Sequence, residues 1–522
     1  MDDITLTADV LVLGGGMAGA WAAAAAAQAG ARVVLADKGY CGTSGVTATA
    51  GPGHWWVPPD PEKRATAIAA RAERGQGLAD PAWMARVVEE TWQTLPTLAR
   101  YYAFPRDEKG EVRYRALRGP EYMRALRQQI VDLGVVILDQ SPALELLRHG
   151  DGAIAGARGW RRQEGRYWQV RAGGTVLATG GCAFLSGLLG AHTNTGDGLL
   201  MAAEAGADFS GMEFSTYHTV APAFSNMTRS MSYAFARYFD GAGRELDINP
   251  MESTRPLALA LMQGPVTCCL DRMPQHFRDE LHLISPNVML PFVRKGIDPY
   301  RQRFPITLHG EGTIRGVGGV RLTGPDCATA VPGLFAAGDA ATRENVAGAT
   351  SGGGAQNSAW ALSSGRWAGQ AAAERARRSG VRVGEKVEAL GRTGLRPRTP
   401  HRAPDRATTI AAVQGEMLPY DKILFRRGAV LDRSLALLDG LWDELGGQPA
   451  EPDPARSREA AALVAVARWC NQAALARRES RGLHERQDYP NPHPQYASRL
   501  AVGGLGRLWV GWQQDGQRDI LK

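Results

Sequence analysis

The sequence predicts an α/β fold in which a parallel-sheet domain is interrupted by an inserted domain and followed by helices. Three observations predict it: a strand, glycine turn, helix and strand at the start; a second strand and small-residue turn far downstream; and leucines at helical spacing near the end. Residues 10–13 read VLVL, a continuous apolar run suited to a strand buried on both faces of a parallel sheet. Gly14, Gly16 and Gly19 then form GxGxxG and open an alanine-rich helix that runs to Ala29 and Gly30. Residues 32–36 supply the next strand, ending at Asp37. In that order the glycines permit a tight turn and close approach to a pyrophosphate, the helix N-terminus supplies positive potential, and the acid accepts hydrogen bonds from a ribose. The unit therefore predicts a dinucleotide site. Two later segments have the same strand-and-turn character: residues 175–181 (TVLATGG) and residues 333–341 (GLFAAGDAA). Since the second lies so far from the first strand, an inserted domain must separate the halves of the nucleotide domain.

Further on, residues 380–406 are rich in Gly, Pro and Arg and read as a linker. Beyond them Leu431, Leu435, Leu438 and Leu441, then Leu463, Val466 and Trp469, recur at helical spacing and predict a C-terminal helical bundle, the stripes being its packed core.

Composition narrows the function classes. The 522 residues leave room for several domains, and 44% hydrophobic with 22% charged residues is ordinary globular usage. The net charge of +7 is spread without a basic block, so a dedicated nucleic-acid binder is not indicated. Cys41, Cys182, Cys268, Cys269, Cys327 and Cys470 show neither CxxC spacing nor a histidine partner, so no zinc or iron–sulfur site is expected and no metal-ligating residues are assigned. The acidic start, MDDITLTADV, lacks the features of a secretory signal, and the alanine run of residues 18–31 is too short and weakly apolar to span a bilayer. A cytoplasmic protein without a membrane anchor is the expectation.

Four ordered segments carry a resemblance over almost the whole length: residues 43–51 (TSGVTATAG), 192–198 (HTNTGDG), 212–219 (MEFSTYHT) and 478–490 (RESRGLHERQDYP). They resemble the flavoprotein family of succinate dehydrogenase, fumarate reductase, L-aspartate oxidase and adenylylsulfate reductase, and residues 206–214 (GADFSGMEF) lean toward the last branch. The resemblance implies a Rossmann-like FAD-binding domain, residues 1–210 and again 316–385, interrupted by an α+β capping domain, residues 211–315. A linker (386–406) and a C-terminal helical domain with a tail (407–522) follow. It implies FAD rather than NAD, with contacts from Gly14, Gly16, Met17, Ala18, Gly19, Asp37, Lys38, Ser44, Gly45, Thr49, Ala178, Thr179, Gly180, Asp197, Gly338, Asp339, Asn357 and Ser358. Ser44 stands near the position of the family's FAD-linked histidine, so the FAD is expected to be noncovalent. His54, Trp55 and Trp56 follow soon after, as pocket walls or as packing residues.

The resemblance also implies hydride transfer between a substrate carbon and flavin N5, with cations holding an anionic substrate. Arg255, in STRPLALALMQG, occupies the place of the family's proton-transferring arginine, although Pro256 replaces the usual acid. His218 and Thr228 match substrate-contacting positions, while Arg229 stands where the family has Glu. Two departures bear on substrate. Ile314 of IRGVGG replaces a carboxylate-binding histidine, and AGATSGGGAQNS (residues 347–358) lacks the arginine that clamps the far carboxylate. Arg315 and Arg343 are nearby cations that could bind an anion elsewhere. The expected function is an FAD-dependent oxidoreductase acting on a small anionic substrate other than succinate, fumarate or aspartate. Its electrons would leave to oxygen or to an acceptor protein, and the chain could form a homo-oligomer. Two alternatives are a flavin subunit of a larger electron-transfer complex and a non-catalytic flavin-binding scaffold.

Overall fold

The computed structural model describes residues 3–114, 117–228, 231–514 and 517–521. Strand β1 (Ile4–Leu13) lies at the centre of the main sheet, its last four residues buried. Helix α1 (Met17–Gln28) leads to β2 (Val33–Ala36), which pairs in parallel with β1, Val10 opposite Val33 and Leu13 opposite Ala36. Strand β3 (Val136–Leu138) extends this edge in parallel. Strands β4 (Ala143–Arg148), β5 (Ile154–Arg161) and β6 (Arg166–Leu177) form an antiparallel meander, and β6 returns beside β1. Its final residues pair in parallel with Leu334–Ala336, so the downstream strand re-enters the same sheet. The interruption expected from the spacing of the two strand-turn units is thus realised.

The long helix Gly353–Ser379 covers this sheet, and small residues let it do so. A Cβ on Gly173 would lie 2.9 Å from Ala376, and one on Gly174 would lie 2.7 Å from the Ala372 carbonyl oxygen. The same helix packs on α1 at backbone contact. A Cβ on Gly365 would meet the Ala18 carbonyl oxygen at 2.4 Å, and one on Gly369 the Ala22 oxygen at 2.1 Å. The alanine run of α1 is therefore a buried interface, in keeping with the absence, among the described residues, of any helix long and apolar enough to cross a membrane.

The inserted layer is a five-stranded antiparallel sheet ordered Glu245–Leu246, Arg237–Phe239, Thr267–Cys269, Phe304–Glu311, Tyr217–Pro222. Helices Thr254–Gln263, Gln275–Ile284 and Pro286–Lys295 accompany it. Its core gathers Tyr238, Leu257, Phe292 and Phe304, and Phe425 reaches in from the C-terminal region. That region carries helices Arg406–Met417, Gly428–Glu444 and Pro454–Ala476.

Two features differ from the sequence reading. Residues 386–406, expected as a linker, are bound to the body: Glu388–Ala389 pairs with β4, and Arg396 donates to Glu145 at 2.6 and 2.9 Å. Glu145 is 3% exposed, and a buried carboxylate of this kind requires its cation. The tail is not an appendage of the helices. Arg499–Gly503 pairs with Phe209–Ser210 and continues through Trp509–Gln514 and Gln517–Leu521, completing a sheet begun by the nucleotide-binding half. The replacement Gly369→Val is expected to lower stability to urea by about 1–3 kcal/mol through overpacking. Gly384→Ala, where an added Cβ meets open space, should stay within about 0.5 kcal/mol.

Candidate functional site

A cavity of about 770 Å³ runs from the GxGxxG turn to the inserted layer. At its nucleotide end the three motif glycines have separate tasks. Gly14 turns at φ 105° against Ala178, whose carbonyl oxygen would lie 2.3 Å from an added Cβ. Gly16 faces the cavity with open space around it. Gly19 does not line the cavity; an added Cβ there would lie 1.8 Å from the Gly14 carbonyl oxygen, so it lets the helix leave the strand tightly. No side chain caps α1 at Gly16, which leaves its first-turn N–H groups turned toward a ligand.

Asp37, at the end of β2, accepts from the Gly39 amide at 2.9 Å through Oδ1, while its buried Oδ2 has no protein partner. Burial raises its pKa. A buried acceptor left open beside the glycine turn fits the ribose hydroxyls of a dinucleotide. Lys38 is fully engaged, with Thr195 Oγ1 and Asp197 Oδ2 both at 2.6 Å and Glu459 at 2.9 Å. Burial pushes the Glu459 carboxyl up, but Lys38, Arg406 and Arg162 outweigh it and hold it at about 2. Ala178, Thr179, Gly180, Gly338 and Asp339 also line the cavity.

Ser44 and Gly45 also line the cavity, together with Gly354, Ala355, Asn357 and Ser358 from the start of helix Gly353–Ser379. Both amide atoms of Asn357 are buried without a protein partner, as a hydrogen-bonding ring system seated there would leave them. His54, Trp55 and Trp56 form a wall. Burial pushes His54 down to about 3, so it is neutral, and its Nε2 lies 3.3 Å from the Tyr122 hydroxyl, which accepts from Trp21 Nε1 at 3.0 Å. These open acceptors and donors, two helix N-termini and a long cavity fit FAD.

The inserted layer closes the far end with Tyr217, Thr219, Thr228, Phe277, Glu280 and Leu281. Arg315 joins them from the short helix Gly312–Arg315. Its Nη2 donates to the Tyr217 hydroxyl at 3.0 Å, its guanidinium carbon lies 4.6 Å from the Tyr217 ring centroid, and its buried Nε has no protein partner. Burial works against its charge, but Glu311, Tyr217 and Asp339 outweigh it and raise its pKa. Thr228 Oγ1 is likewise buried and unpartnered.

Several expected residues stand elsewhere. Arg255, in the first turn of Thr254–Gln263, does not line the cavity; its side chain is 54% exposed, ion-paired to Glu485 and 5.3 Å from the Phe425 ring centroid. His218 also lies behind the lining, where Nδ1 meets the Thr216 carbonyl at 3.0 Å and burial pushes its pKa down to about 4. Thr49 spends its hydroxyl on the Val46 carbonyl at 3.1 Å. Arg229 lies outside the described residues. Arg343, 1% exposed, is bound to Asp339 and to the carbonyls of Thr313, Ile314 and Gly316, so it holds the loop that carries Arg315 and presents no cation to the cavity. Sequence reasoning missed Glu459 and the face of Phe277, Glu280 and Leu281. The apolar–acid–apolar pattern of that helix is common to many surface helices, and nothing local marks Glu459.

Comparison with known proteins bears on these observations. Residues 9–228 match the family described as FAD binding domain, and residues 425–502 match fumarate reductase flavoprotein C-term. L-aspartate oxidase of Mycobacterium tuberculosis is 31% identical over 95% of this chain and 95% of that protein. Among solved structures, E. coli quinol fumarate reductase gives a TM-score of 0.82 at 21% identity, covering 99% of this chain and 96% of that one. Adenylylsulfate reductase of Archaeoglobus fulgidus gives 0.77 at 17%, covering 98% and 96%. These two structural likenesses speak to fold alone, whereas the full-length aspartate oxidase identity speaks to descent. The chain belongs to the FAD-dependent oxidoreductase family of succinate dehydrogenase, fumarate reductase and L-aspartate oxidase.

Proposed function

We propose that the protein transfers a hydride between a small anionic organic substrate and noncovalently held FAD, with Arg315 as the group that binds the anion. One observation carries this reading. Among the described residues, Lys38 and Arg315 are the cations lining the cavity, and Lys38 is neutralised by Asp197 and Glu459. Arg315 lines the cavity with Glu311 and Asp339 near enough to sustain its charge, held by Tyr217 with Nε unpartnered. A charged guanidinium there offers donors in a fixed fork to one carboxylate or comparable anion.

Aspartate is the substrate named for the relatives at 31% identity. The side chains here argue for a different one, because a four-carbon dicarboxylate needs a cation at each end. Ile314 and the glycine-rich residues 351–354 stand where the resemblance places the second set of ligands. An unpaired second carboxylate in this enclosed site would lose its hydration without return.

Bound FAD supplies a two-electron acceptor or donor whose N5 takes or gives hydride. Asp37 would hold the ribose of that group, the open N-terminus of α1 its pyrophosphate, and Asn357 with Ser358 the ring edge. The N-terminus of Gly353–Ser379 adds positive potential where negative charge builds on reduction. Arg315 fixes the anion, Tyr217 fixes Arg315, and Thr228 offers a second hydrogen bond to substrate. Trp55 and Trp56 exclude water from the reacting face. Oxidation of the substrate would give up a hydride, two electrons in all, and a proton released to solvent, and oxygen or an acceptor protein would take up those electrons.

Anaerobic titration of the flavin band near ~450 nm tests the reading. Succinate and L-aspartate are expected to leave the band oxidised while another anion bleaches it, and rapid bleaching by either would refute the argument from Ile314. Arg315→Met should lower kcat/KM for that anion by about 10²-fold, the worth of a lost charged hydrogen bond. Asp37→Ala should weaken flavin retention by about 1.5–3 kcal/mol, read as flavin loss on gel filtration, and denatured wild-type protein should release all its flavin.

A further inference from the structure

The far wall of the cavity carries information about the substrate beyond the anion at Arg315. Helix Gln275–Ile284 turns Phe277, Glu280 and Leu281, spaced i, i+3 and i+4, onto the cavity from one face. Phe277 is backed by Phe235, ring centroids 5.2 Å apart, and Phe235 packs on the core of the inserted layer. On the opposite side Trp56 lies between Trp92 and Tyr114, each 4.2 Å away and near parallel, and Trp55 is 8% exposed. The tryptophan rings are held by packing, while Phe277, 37% exposed, rests on Phe235 alone among these rings. Apart from Arg315, the inserted-layer side of the lining holds one ionisable acid, Glu280, and no base among the described residues.

From this arrangement we propose that the substrate carries a single anionic group, bound by Arg315, and an apolar, preferably aromatic, body that lies against Phe277, Leu281 and the tryptophan wall. The inference rests on the function proposed above and narrows its substrate class. A second anionic end would face apolar rings, the uncharged hydroxyls of Thr219 and Thr228, or the Glu280 carboxylate, which repels it, and no second cation among the described residues of this side offsets its lost hydration. An apolar body placed there buries its surface, and that of Phe277, against Leu281 and the packed tryptophans.

The test uses oxidised holoenzyme and four probes, benzoate and 3-phenylpropionate against malonate and succinate, with Kd read from perturbation of the flavin band and from calorimetry. The single-anion aromatic probes are expected to bind at least about tenfold tighter than the dicarboxylates. Phe277→Ala should weaken 3-phenylpropionate about tenfold and leave malonate unchanged, whereas Glu280→Gln should tighten succinate. Phe277 is 37% exposed, so its replacement does not threaten the core; Leu281→Asn provides a second variant with the same expectation. Dicarboxylates that bind as tightly as the aromatic probes would overturn this inference and leave the oxidoreductase reading standing. If no anion perturbs or reduces the flavin of a fully loaded protein, both fall together.

Discussion

Backbone-to-backbone contact between two helices governs where the site can form. Gly365 and Gly369 lie against the carbonyl oxygens of Ala18 and Ala22, so α1 and Gly353–Ser379 approach more closely than any side chain would allow. That approach brings both helix N-termini to the same cavity, one at Gly16 and the other at Gly354 and Ala355. Their aligned peptide dipoles place positive potential at two points along one cofactor, suited to a pyrophosphate and to a ring system that gains charge on reduction. Gly173 and Gly174 extend the same logic to the sheet, since they seat the long helix on β6 and so fix its height above β1.

Charge pairing then decides which cations remain for chemistry. Lys38 is spent on Asp197 and Glu459, and Arg255 on Glu485 at the surface. Arg343 is buried and binds three carbonyls of one short segment, those of Thr313, Ile314 and Gly316. A buried arginine satisfied in this way anchors backbone, and the backbone it anchors is the short helix Gly312–Arg315. Arg343 thereby positions Arg315, and the two arginines have complementary roles.

The C-terminal region takes part in shaping the site as well as closing the fold. Phe425 enters the core of the inserted layer, Arg426 donates to the Glu213 carbonyl at 2.7 Å, and Thr216 donates to the Leu483 carbonyl. These bonds hold residues 213–217 and therefore the Tyr217 ring on which Arg315 rests. Arg477 is fully buried between Glu213 at 2.7 Å and Glu479 at 2.9 Å, an arrangement whose desolvation is tolerable only because both partners are present.

What could be read from the chain alone follows a simple division. The strand with its GxGxxG turn and Asp37, and the distant GD turn, are each short local motifs defined by backbone geometry, so their order and spacing were sufficient to predict the split α/β domain and a dinucleotide site. Asn357 and Ser358 were legible through the resemblance, which put them at the start of a helix; the helix begins at Gly353 and both lie one turn further along, at the cavity. The far end of the cavity is assembled from Tyr217, Thr228, Phe277 and Arg315, which come from separate elements. Which of their side chains turn inward depends on packing and ion pairing between distant segments. Motif position favoured Arg255, but Glu485 and Phe425 draw it to the surface, while Tyr217 and the Arg343-bound loop hold Arg315 at the cavity. Likewise the tail reads as an appendage until Phe209–Ser210 offers its open edge, because strand pairing is a long-range contact that no local pattern encodes.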